Sequence, residues 1–220
     1  RIVSMKTAII IGATGLVGNL ITQKLLEDNR YKKVKVFVRR SLNINNPKLE
    51  EHIVDFDNIA LWKNNLSGDE FYSALGTTLK KAGSKDAQYK IDFTYQYEAA
   101  NAASENGVKN YLLVSSLGAN SKSSNFYLRM KGSLDEKVRL LSFDRIRIFR
   151  PSILVGDRSE KRFGESLGIK IAGTFTKIIP ALKKYRPIKA SQVAEAMIKS
   201  ANQNLSDKIK IYNSEEIFVL

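Results

Sequence analysis

The order of apolar and polar residues along the chain predicts that β-strands alternate with α-helices. Continuous apolar runs bounded by glycine or polar residues are typical of strands buried on both faces of a sheet. Such runs predict strands at Thr7–Ile11, Val34–Val38, His52–Phe56, Glu70–Leu75, Asn110–Ser115 and Arg145–Phe149. Apolar residues at helical spacing predict the intervening helices Leu16–Glu27, Asp92–Asn106 and Phe126–Leu141. This alternation predicts an α/β fold, a Rossmann-type doubly wound parallel sheet with helices on both faces.

The regular alternation ends near Ser152, so a different role is predicted for the last third of the chain. Glycines and prolines punctuate the following stretch, which holds one apolar helix candidate, Ser166–Ile179. Ser191 is then a candidate N-cap for a further helix, and a short strand ends the chain. Because no linker interrupts the sequence, we predict a single domain over residues 1–220. Residues 152–190 would form a small substrate-covering region at the carboxyl edge of its sheet.

Composition limits the chemistry that the chain can perform. There is no cysteine, which excludes disulfides, thiolate metal sites and a cysteine nucleophile, and is compatible with a reducing cytoplasm. His52 is the single histidine, so a histidine-based triad or a multi-histidine metal site is not expected. No apolar run reaches the roughly 18 residues that cross a bilayer, and the glycine-broken run after Lys6 lacks a signal-peptide cleavage site. We therefore expect a cytoplasmic protein that binds no metal and does not span a membrane.

The chain is strongly basic, with a formal net charge of +14 and a sequence pI of about 9.8. Its lysines are scattered, and the lysine doublets are too short to form a basic arm. A lysine-rich solvated surface therefore explains most of the charge, and a site for a polyanionic small molecule or a nucleic-acid face are the alternatives. We expect a small-molecule partner and do not expect nucleic-acid binding.

The first strand ends in the glycine-rich turn GATGLVG, residues 12–18, which opens the first helix. Glycines at this spacing permit a tight turn and let the backbone approach a pyrophosphate, which the N-terminus of the helix attracts. The strand before the turn and the helix after it are the context that a dinucleotide-binding motif requires. The turn therefore predicts dinucleotide binding.

Two arginines follow the second strand and bear on the choice of cofactor. An NAD site normally places Asp or Glu about twenty residues beyond the last glycine of the turn. Here the strand ends in Val38, and Arg39, Arg40 and Ser41 follow it. Guanidinium groups donate paired hydrogen bonds to phosphate oxygens, whereas a carboxylate would repel the 2′-phosphate of NADP. We therefore predict that NADP(H) is favoured over NAD(H).

The turn is of the G-x-x-G-x-x-G type, and with it the sequence resembles the extended or atypical branch of the short-chain dehydrogenase/reductase superfamily. Four further runs resemble the Tat-interacting oxidoreductase-like proteins and their NmrA-like, NAD(P)-binding relatives. These runs are ALGTTLKKAG (residues 74–83), SSLGANSKSSNFY (115–127), KGSLDEKV (131–138) and FDRIRIFRPSILVGDR (143–158). The resemblance covers nearly the whole chain and implies a single NAD(P)-binding Rossmann domain.

The resemblance also implies where the cofactor binds. The glycine turn would hold the pyrophosphate, Asp55 would contact the adenine, and the loop after the fourth strand would pass beneath the cofactor. With the arginines, the implied cofactor-binding residues are Gly12, Ala13, Thr14, Gly15, Leu16, Val17, Arg39, Arg40, Asp55, Leu75, Gly76, Thr77, Ser115, Lys131, Pro151 and Ile153. The chain departs from many extended members in having Asp92 where they have Asn, so no proton relay is assigned there.

A Y-x-x-x-K motif occurs three times, and its context selects one match as the candidate catalytic pair. Tyr31/Lys35 lies at the start of a strand, and Tyr185/Lys189 includes Pro187, which breaks a helical turn. Tyr127/Lys131 lies on a predicted helix that follows a strand ending in serines. Side chains four residues apart on a helix are neighbours.

The pair suits proton transfer to a carbonyl oxygen. A free tyrosine has a pKa near 10, and a neighbouring ammonium group favours the phenolate form. Tyr127 would exchange the proton with the substrate, while Lys131 would also hold the nicotinamide ribose. Ser116 is the predicted catalytic serine by analogy with superfamily spacing, with Ser115 as the alternative.

We therefore predict an NADP(H)-dependent oxidoreductase that acts on a small carbonyl or alcohol through serine, tyrosine and lysine. One alternative is an NADP(H)-binding sensor without turnover that regulates a protein partner. A nucleotide-sugar epimerase-like enzyme is the other, although 220 residues leave little room for the larger substrate domain it usually needs. The chain could also form a homodimer, and the sequence does not identify the substrate.

Overall fold

Seven parallel strands form one sheet in the computed structural model, which describes residues 5–156, 185–203 and 206–220. The strands of this sheet and of a small second pair are β1 Lys6–Ile11, β2 Tyr31–Val38, β3 Leu49–Ile53, β4 Glu70–Ser73, β5 Asn110–Val114, β6 Arg145–Arg150, β7 Leu154–Val155, β8 Ile188–Lys189 and β9 Ile209–Asn213. The order in the main sheet is β3-β2-β1-β4-β5-β6-β9, and every neighbouring pair is parallel. The predicted Rossmann-type sheet is therefore confirmed.

Helices cover both faces of the sheet. They are α1 Leu16–Glu27, α2 Leu79–Ala82, α3 Lys85–Tyr89, α4 Tyr95–Glu105, α5 Phe126–Val138, α6 Ala190–Ala201 and α7 Ser214–Ile217. A π-helical turn, Lys90–Thr94, joins α3 to α4, and 3-10 turns cover Phe56–Leu61 and Lys63–Asn65. In the described part of the chain, no helix is both long enough and apolar enough to cross a membrane.

The alternation of side chains along β1 divides the core into two layers. Ile10 faces the layer formed with α1 and α6, which contains Leu25 and Met197. Ile9 faces the other layer, where it packs with residues of α4 and α5 that include Leu134. Both isoleucines are fully buried, and each such burial is worth about 1.5–3 kcal/mol. A strand buried on both faces reads as a continuous apolar run, which is why β1 was predictable.

The third strand differs from its prediction. The sequence predicts His52–Phe56, whereas β3 pairs with β2 over Leu49–Ile53. Phe56 does enter the core, but from a 3-10 turn that Asp55 caps by accepting from the Asp57 N–H. The predicted strand Glu70–Leu75 similarly ends at Ser73, because the chain leaves the sheet there to form the loop under the cleft.

The last third of the chain is partly described. The predicted helix Ser166–Ile179 and most of the predicted substrate-covering region lie outside the described residues. α6 begins at Ala190, so Ser191 lies in the first turn and the prediction that it is the N-cap is wrong. The terminal strand is confirmed as β9, which pairs with β6 at one edge of the sheet.

A buried polar cluster joins the amino ends of three strands to α6. The Glu70 carboxylate accepts hydrogen bonds from Lys6 Nζ at 2.6 Å, Tyr31 Oη at 2.6 Å and Tyr72 Oη at 2.7 Å. Asn202, which follows α6, donates to Tyr31 Oη at 3.0 Å. Burial and the neighbouring Glu70 carboxylate raise the pKa of Tyr31 far above its usual value. Tyr31 is therefore a structural residue at the end of the sheet opposite the glycine turn.

Candidate active site

The glycine turn lies tightly against the carboxyl end of β4. Gly12 has a φ of +84°, and a Cβ atom there would be 2.4 Å from the backbone carbonyl carbon of Ala74. The Gly15 N–H donates to the Gly12 carbonyl at 2.8 Å and closes the turn. Position 12 therefore requires glycine for both its conformation and its contact.

The N-terminus of α1 is open to an anion. Gly15 is the N-cap residue, and no side chain caps the helix or places a negative charge in its first turn. The first N–H groups of a helix have no partner within the helix, and they favour negative charge. This end of α1 is suited to hold a pyrophosphate.

A cleft of about 320 Å³ runs from this turn along the carboxyl edge of the sheet. Its described lining residues are Gly15, Leu16, Val17, Ala74, Leu75, Gly76, Thr77, Thr78, Lys81, Asp92, Val114, Ser115, Tyr127, Lys131 and Leu154. Parallel strands place the loops after β1, β4 and β5 at this edge, which is where open α/β sheets bind ligands. The fold thus brings the glycine turn, the loop after β4 and the pair Tyr127/Lys131 to one cleft.

The predicted site residues divide into two groups by position. Those that line the cleft are Gly15, Leu16, Val17, Leu75, Gly76, Thr77, Ser115, Tyr127 and Lys131. Those that are not among its lining residues are Gly12, Ala13, Thr14, Arg39, Arg40, Asp55, Ser116, Pro151 and Ile153. Gly12, Ala13 and Thr14 belong to the turn that forms one end of the cleft.

Helix α5 presents the tyrosine and the lysine differently. The Asn125 side chain caps the helix by accepting from the Leu128 N–H at 3.1 Å. Tyr127 is 37% exposed, whereas Lys131, one turn later, is 3% exposed. Met130 lies on the buried side of the helix, as the apolar stripe predicts. The tyrosine is therefore accessible to a substrate, whereas the lysine side chain is almost completely buried.

The close approach of a loop to α5 holds this end of the helix in place. A Cβ atom at Gly132 would be 2.2 Å from the backbone carbonyl carbon of Asn120 and 2.3 Å from the Ser121 nitrogen. These residues belong to the loop that connects β5 to Tyr127. The absence of a side chain at position 132 thus permits the loop to pack on the helix.

The two candidate serines occupy different positions. Ser115 is buried and lines the cleft, and its N–H donates to the Phe149 carbonyl at 2.7 Å. Ser116 is half-buried, and its hydroxyl donates to the Leu117 carbonyl at 3.4 Å. Of the two, the structure places Ser115 on the cleft beside Tyr127 and Lys131.

Asp92 is a cleft residue to which the sequence analysis assigned no role. It lies in the π-helical turn, 2% exposed, with Oδ1 at 3.7 Å from Lys131 Nζ. Its Oδ2 accepts from the Thr77 N–H at 2.8 Å. Burial raises the pKa of the Asp92 carboxyl, against the opposing effects of the Lys131 ammonium and the Thr77 N–H. The sequence signal was the acidic residue itself, which stands where the resemblance led us to expect Asn.

A second buried carboxylate lies one turn beyond Lys131. Asp135 is 1% exposed, and its Oδ2 is 2.8 Å from Nη2 of Arg150. Burial raises the pKa of Asp135, while Ser115, Arg150 and Lys131 oppose that shift. The Asp135–Arg150 pair anchors α5 to β6, directly beneath the catalytic candidates.

The residues predicted to select the cofactor lie near the end of β2. Arg39 and Arg40 are exposed and form no ion pair within the described part of the chain. The nearby Glu51 carboxylate accepts from Ser41 Oγ at 2.6 Å and from the Leu42 N–H at 2.7 Å. The Glu51 carboxylate is thus engaged with the loop after β2 and pairs with neither arginine. The guanidinium groups of Arg39 and Arg40 are therefore available to bind an anion.

Asp55 has a local structural role. Its carboxylate accepts from the Asp57 N–H at 3.0 Å and from Asn58 Nδ2 at 2.5 Å, and so caps the following 3-10 turn.

Within the described residues, no cluster of three or more His, Asp and Glu side chains could hold a metal ion.

Sequence comparison identifies the family. The NAD(P)H-binding domain family matches residues 12–144, which contain the glycine turn, the loop after β4 and all of α5. The chain belongs to this NAD(P)H-binding family. The predicted resemblance is confirmed at the level of this family and by the relative HTATIP2, and solved epimerase structures share the fold.

Two relatives and one solved structure illustrate the similarity. Protein fmp52, mitochondrial, of Aspergillus niger is 34% identical over an alignment of 223 residues. The alignment covers 98% of this chain and 95% of that protein. Protein HTATIP2 of Rattus norvegicus is 36% identical over 173 residues, which cover 77% of this chain and 71% of the relative. The ADP-L-glycero-D-manno-heptose-6-epimerase of Helicobacter pylori shares the fold at a TM-score of 0.69 and 17% identity, covering 98% of this chain and 81% of that one.

These names correct the expectation of a cytoplasmic protein. Fungal relatives whose alignments cover at least 96% of this chain are named mitochondrial. The expectation of a cytoplasmic protein is therefore wrong. It depended on the lack of cysteine, which excludes disulfides but does not distinguish one reducing compartment from another.

Proposed function

We propose that the chain is an NADP(H)-dependent oxidoreductase that interconverts a small carbonyl compound and its alcohol. The observation that carries the proposal is the meeting of Ser115, Tyr127 and Lys131 in one cleft with the open N-terminus of α1. Membership of the NAD(P)H-binding family supplies the cofactor class. The free guanidinium groups of Arg39 and Arg40 support the phosphorylated form of the cofactor.

Each residue has a distinct part in the proposed reaction. The bound nicotinamide would supply or accept the hydride at the carbonyl carbon. The Tyr127 hydroxyl would give its proton to the carbonyl oxygen during reduction and take it back during oxidation. The Ser115 hydroxyl would donate a hydrogen bond to the same oxygen and orient it. The buried Lys131 ammonium would favour the phenolate form and bind the ribose hydroxyls.

The decisive experiment replaces Tyr127 by Phe and measures both turnover and cofactor binding. We expect NADPH-dependent reduction across a panel of aldehydes and ketones to fall by about 10²–10⁴-fold, because the proton donor is lost. NADPH affinity, measured by fluorescence titration, should stay within about twofold of the parent, because the phenol acts on the substrate. Tyr89→Phe is the matched control, since Tyr89 is 38% exposed and does not line the cleft.

Two outcomes would contradict the proposal. The first is a Tyr127→Phe protein that reduces carbonyl compounds as fast as the parent. The second is a parent protein that binds NADPH but reduces no member of the panel, which would favour the sensor without turnover. Comparison of Ser115→Ala with Ser116→Ala assigns the serine, and we expect the larger loss of turnover from Ser115→Ala.

A further inference from the structure

Arg147 in β6 is a buried cation without a carboxylate partner. The residue is 2% exposed, and its guanidinium group keeps its positive charge in a protein. Nη1 donates to the Ile146 carbonyl at 3.1 Å and to the Lys208 carbonyl at 3.2 Å. In the described part of the chain, Nε and Nη2 have no hydrogen-bond partner and Arg147 forms no ion pair. The charge and two of the three nitrogen atoms are therefore left without a partner.

An unpaired charge at this position destabilises the fold. Moving an ionised group out of water is strongly unfavourable unless a counter-charge and hydrogen bonds compensate it. Burial lowers the pKa of the Arg147 guanidinium and the positive charge of Arg145 acts in the same direction, whereas Tyr212 and Asp207 oppose the shift. Asp207 is itself exposed to solvent, which screens its charge. The surroundings of Arg147 therefore favour a negative charge that the described chain does not supply.

A small cavity adjoins this side chain, between the amino ends of β5 and β6 and the last turn of α6. Its volume is about 10 Å³, and its described lining residues are Asn110, Leu112, Arg145, Arg147, Ser200 and Ala201. The side-chain oxygen of Asn110 is also buried without a partner. A cavity of this size holds a single particle about as large as a water molecule, which excludes phosphate, sulfate and carboxylate ligands.

The polar groups around the cavity can donate hydrogen bonds to one small anion. Arg147 offers the N–H groups of Nε and Nη2. The hydroxyls of Ser200 and Tyr212 are 3.1 Å apart, and a hydroxyl can reverse its donor role by rotation, so the Ser200 proton can turn to the cavity. The Asn110 amide carries an NH₂ group that can take the place of its oxygen. A water molecule would also bind these groups, but it would leave the positive charge uncompensated.

We propose that this cavity is a binding site for one monatomic anion, chloride, held by Arg147 and Asn110 between the sheet and α6. The site lies at the amino ends of the strands, whereas the cleft lies at their carboxyl ends, so it is separate from the proposed reaction. The bound ion supplies the counter-charge of the guanidinium group. Because the cavity exists only in the folded chain, chloride binding stabilises the fold.

Urea denaturation in sodium chloride and in sodium gluconate, at equal ionic strength, tests the proposal. Gluconate is too large for the cavity, while the two salts screen exposed charges equally. We expect chloride to raise the folding equilibrium constant relative to gluconate, by about tenfold for each tenfold increase in chloride once the site is mostly occupied. Equal unfolding midpoints in the two salts at every concentration would overturn the proposal.

Two variants localise the effect. Asn110→Asp supplies a carboxylate from the chain itself at the same cavity, and Arg147→Met removes the charge that the ion balances, so we expect both to lose the chloride dependence. Lys109→Gln is the matched control, because it removes an exposed positive charge beside Asn110 in the chain and should keep the dependence.

If Arg147→Met does not fold, Asn110→Asp decides alone, since it keeps the hydrogen bonds of Arg147 to the two carbonyl groups. A chloride dependence that persists in Asn110→Asp would place the bound ion elsewhere on the basic surface and would overturn the assignment. A crystal structure in chloride then distinguishes the ion from water, because chloride scatters anomalously at long X-ray wavelengths and water does not. We expect an anomalous peak between Arg147 and Asn110, and a water molecule there without such a peak would contradict the proposal.

Discussion

Gly132 shows how a single position controls the geometry of the candidate site. Its Cα faces the backbone of Asn120 and Ser121 at a distance that leaves no room for a side chain. The same loop leads directly into the cap of α5 and then into Tyr127. A substitution at Gly132 therefore acts on the tyrosine through the backbone of the loop.

We expect Gly132→Ala to lower the free energy of unfolding by about 1–3 kcal/mol, because an added methyl group in a packed contact forces the backbone to move. Turnover should also fall, since the displaced loop precedes Tyr127. Urea denaturation and carbonyl reduction measure the two effects. Ser133→Ala, on the next residue of the helix, should stay within about 0.5 kcal/mol of the parent. A Gly132→Ala protein as stable as the parent would contradict this account of the contact.

At the residue scale, the sequence predicts those site residues whose signal is local. Tyr127, Lys131 and the glycine turn were found because each belongs to a short motif with fixed spacing next to a predicted element. The partnership of Asp92 with Lys131 joins residues 39 positions apart in the chain, and burial creates it. Position in the cleft likewise distinguishes Ser115 from Ser116, which local sequence does not.

At the scale of elements, predictions succeeded where the apolar pattern and the element coincide. The end of the predicted helix at Asn106 agrees with α4, because Gly107 has a φ of +80° and stops the helix. The limits of β3 were missed, because its pairing with β2 selects Leu49–Ile53 even though none of these residues is fully buried and Ile53 is exposed. Phe56 packs in the core although it lies in a 3-10 turn. An apolar, buried residue at this position therefore did not indicate a strand.

The polar cluster at the amino ends of β1, β2 and β4 gives a prediction about elements. Tyr31→Phe removes one donor from the buried Glu70 carboxylate, and we expect a loss of about 1–3 kcal/mol in the free energy of unfolding. NADPH affinity should not change, because the cluster and the glycine turn lie at opposite ends of the strands.

Urea denaturation and NADPH titration check both parts. Tyr95→Phe is the control, since Tyr95 donates to the exposed Asp57 carboxylate and its loss should cost less. Equal stabilities of the Tyr31 and Tyr95 variants would show that the buried cluster does not join the elements as described.

At the scale of the whole molecule, the charge of +14 favours anionic ligands in general, so cofactor choice must be separated from this background. NADPH and NADH differ by one phosphate group, and Arg39 and Arg40 are the two cations predicted to contact it. We expect the parent to bind NADPH at least about tenfold more tightly than NADH, because charge-assisted hydrogen bonds are worth about 1.5–3 kcal/mol.

The double variant Arg39→Ala, Arg40→Ala should erase this difference by weakening NADPH binding and leaving NADH binding nearly unchanged. Lys32→Ala, Lys33→Ala is the matched control, because it removes two positive charges from the opposite end of the same strand. Cofactor titrations at two salt concentrations distinguish direct contacts of the arginines from the attraction of the whole basic surface, because salt screens the distant charges more strongly. Equal affinities of the parent for the two cofactors would contradict the role of the arginines.

The sequence predicts the layered α/β architecture of the whole molecule because each βαβ unit has its own apolar signal. It does not predict the order of strands at the edges, since β9 follows the part of the sequence in which the alternation of apolar patterns has ended. The short pairing of β7 with β8 was also missed, because two-residue strands are too short to show a period.

That short pairing has a consequence for the length of the chain between its two strands. Leu154 pairs with Ile188 and Val155 with Lys189, so two points of the chain that are more than thirty residues apart are adjacent in space. Both points are fixed by backbone hydrogen bonds, and the entropy of closing a loop grows only slowly with its length. A change in the number of residues between Val155 and Ile188 would therefore cost little loop-closure entropy, provided that the pairing of β7 with β8 is kept.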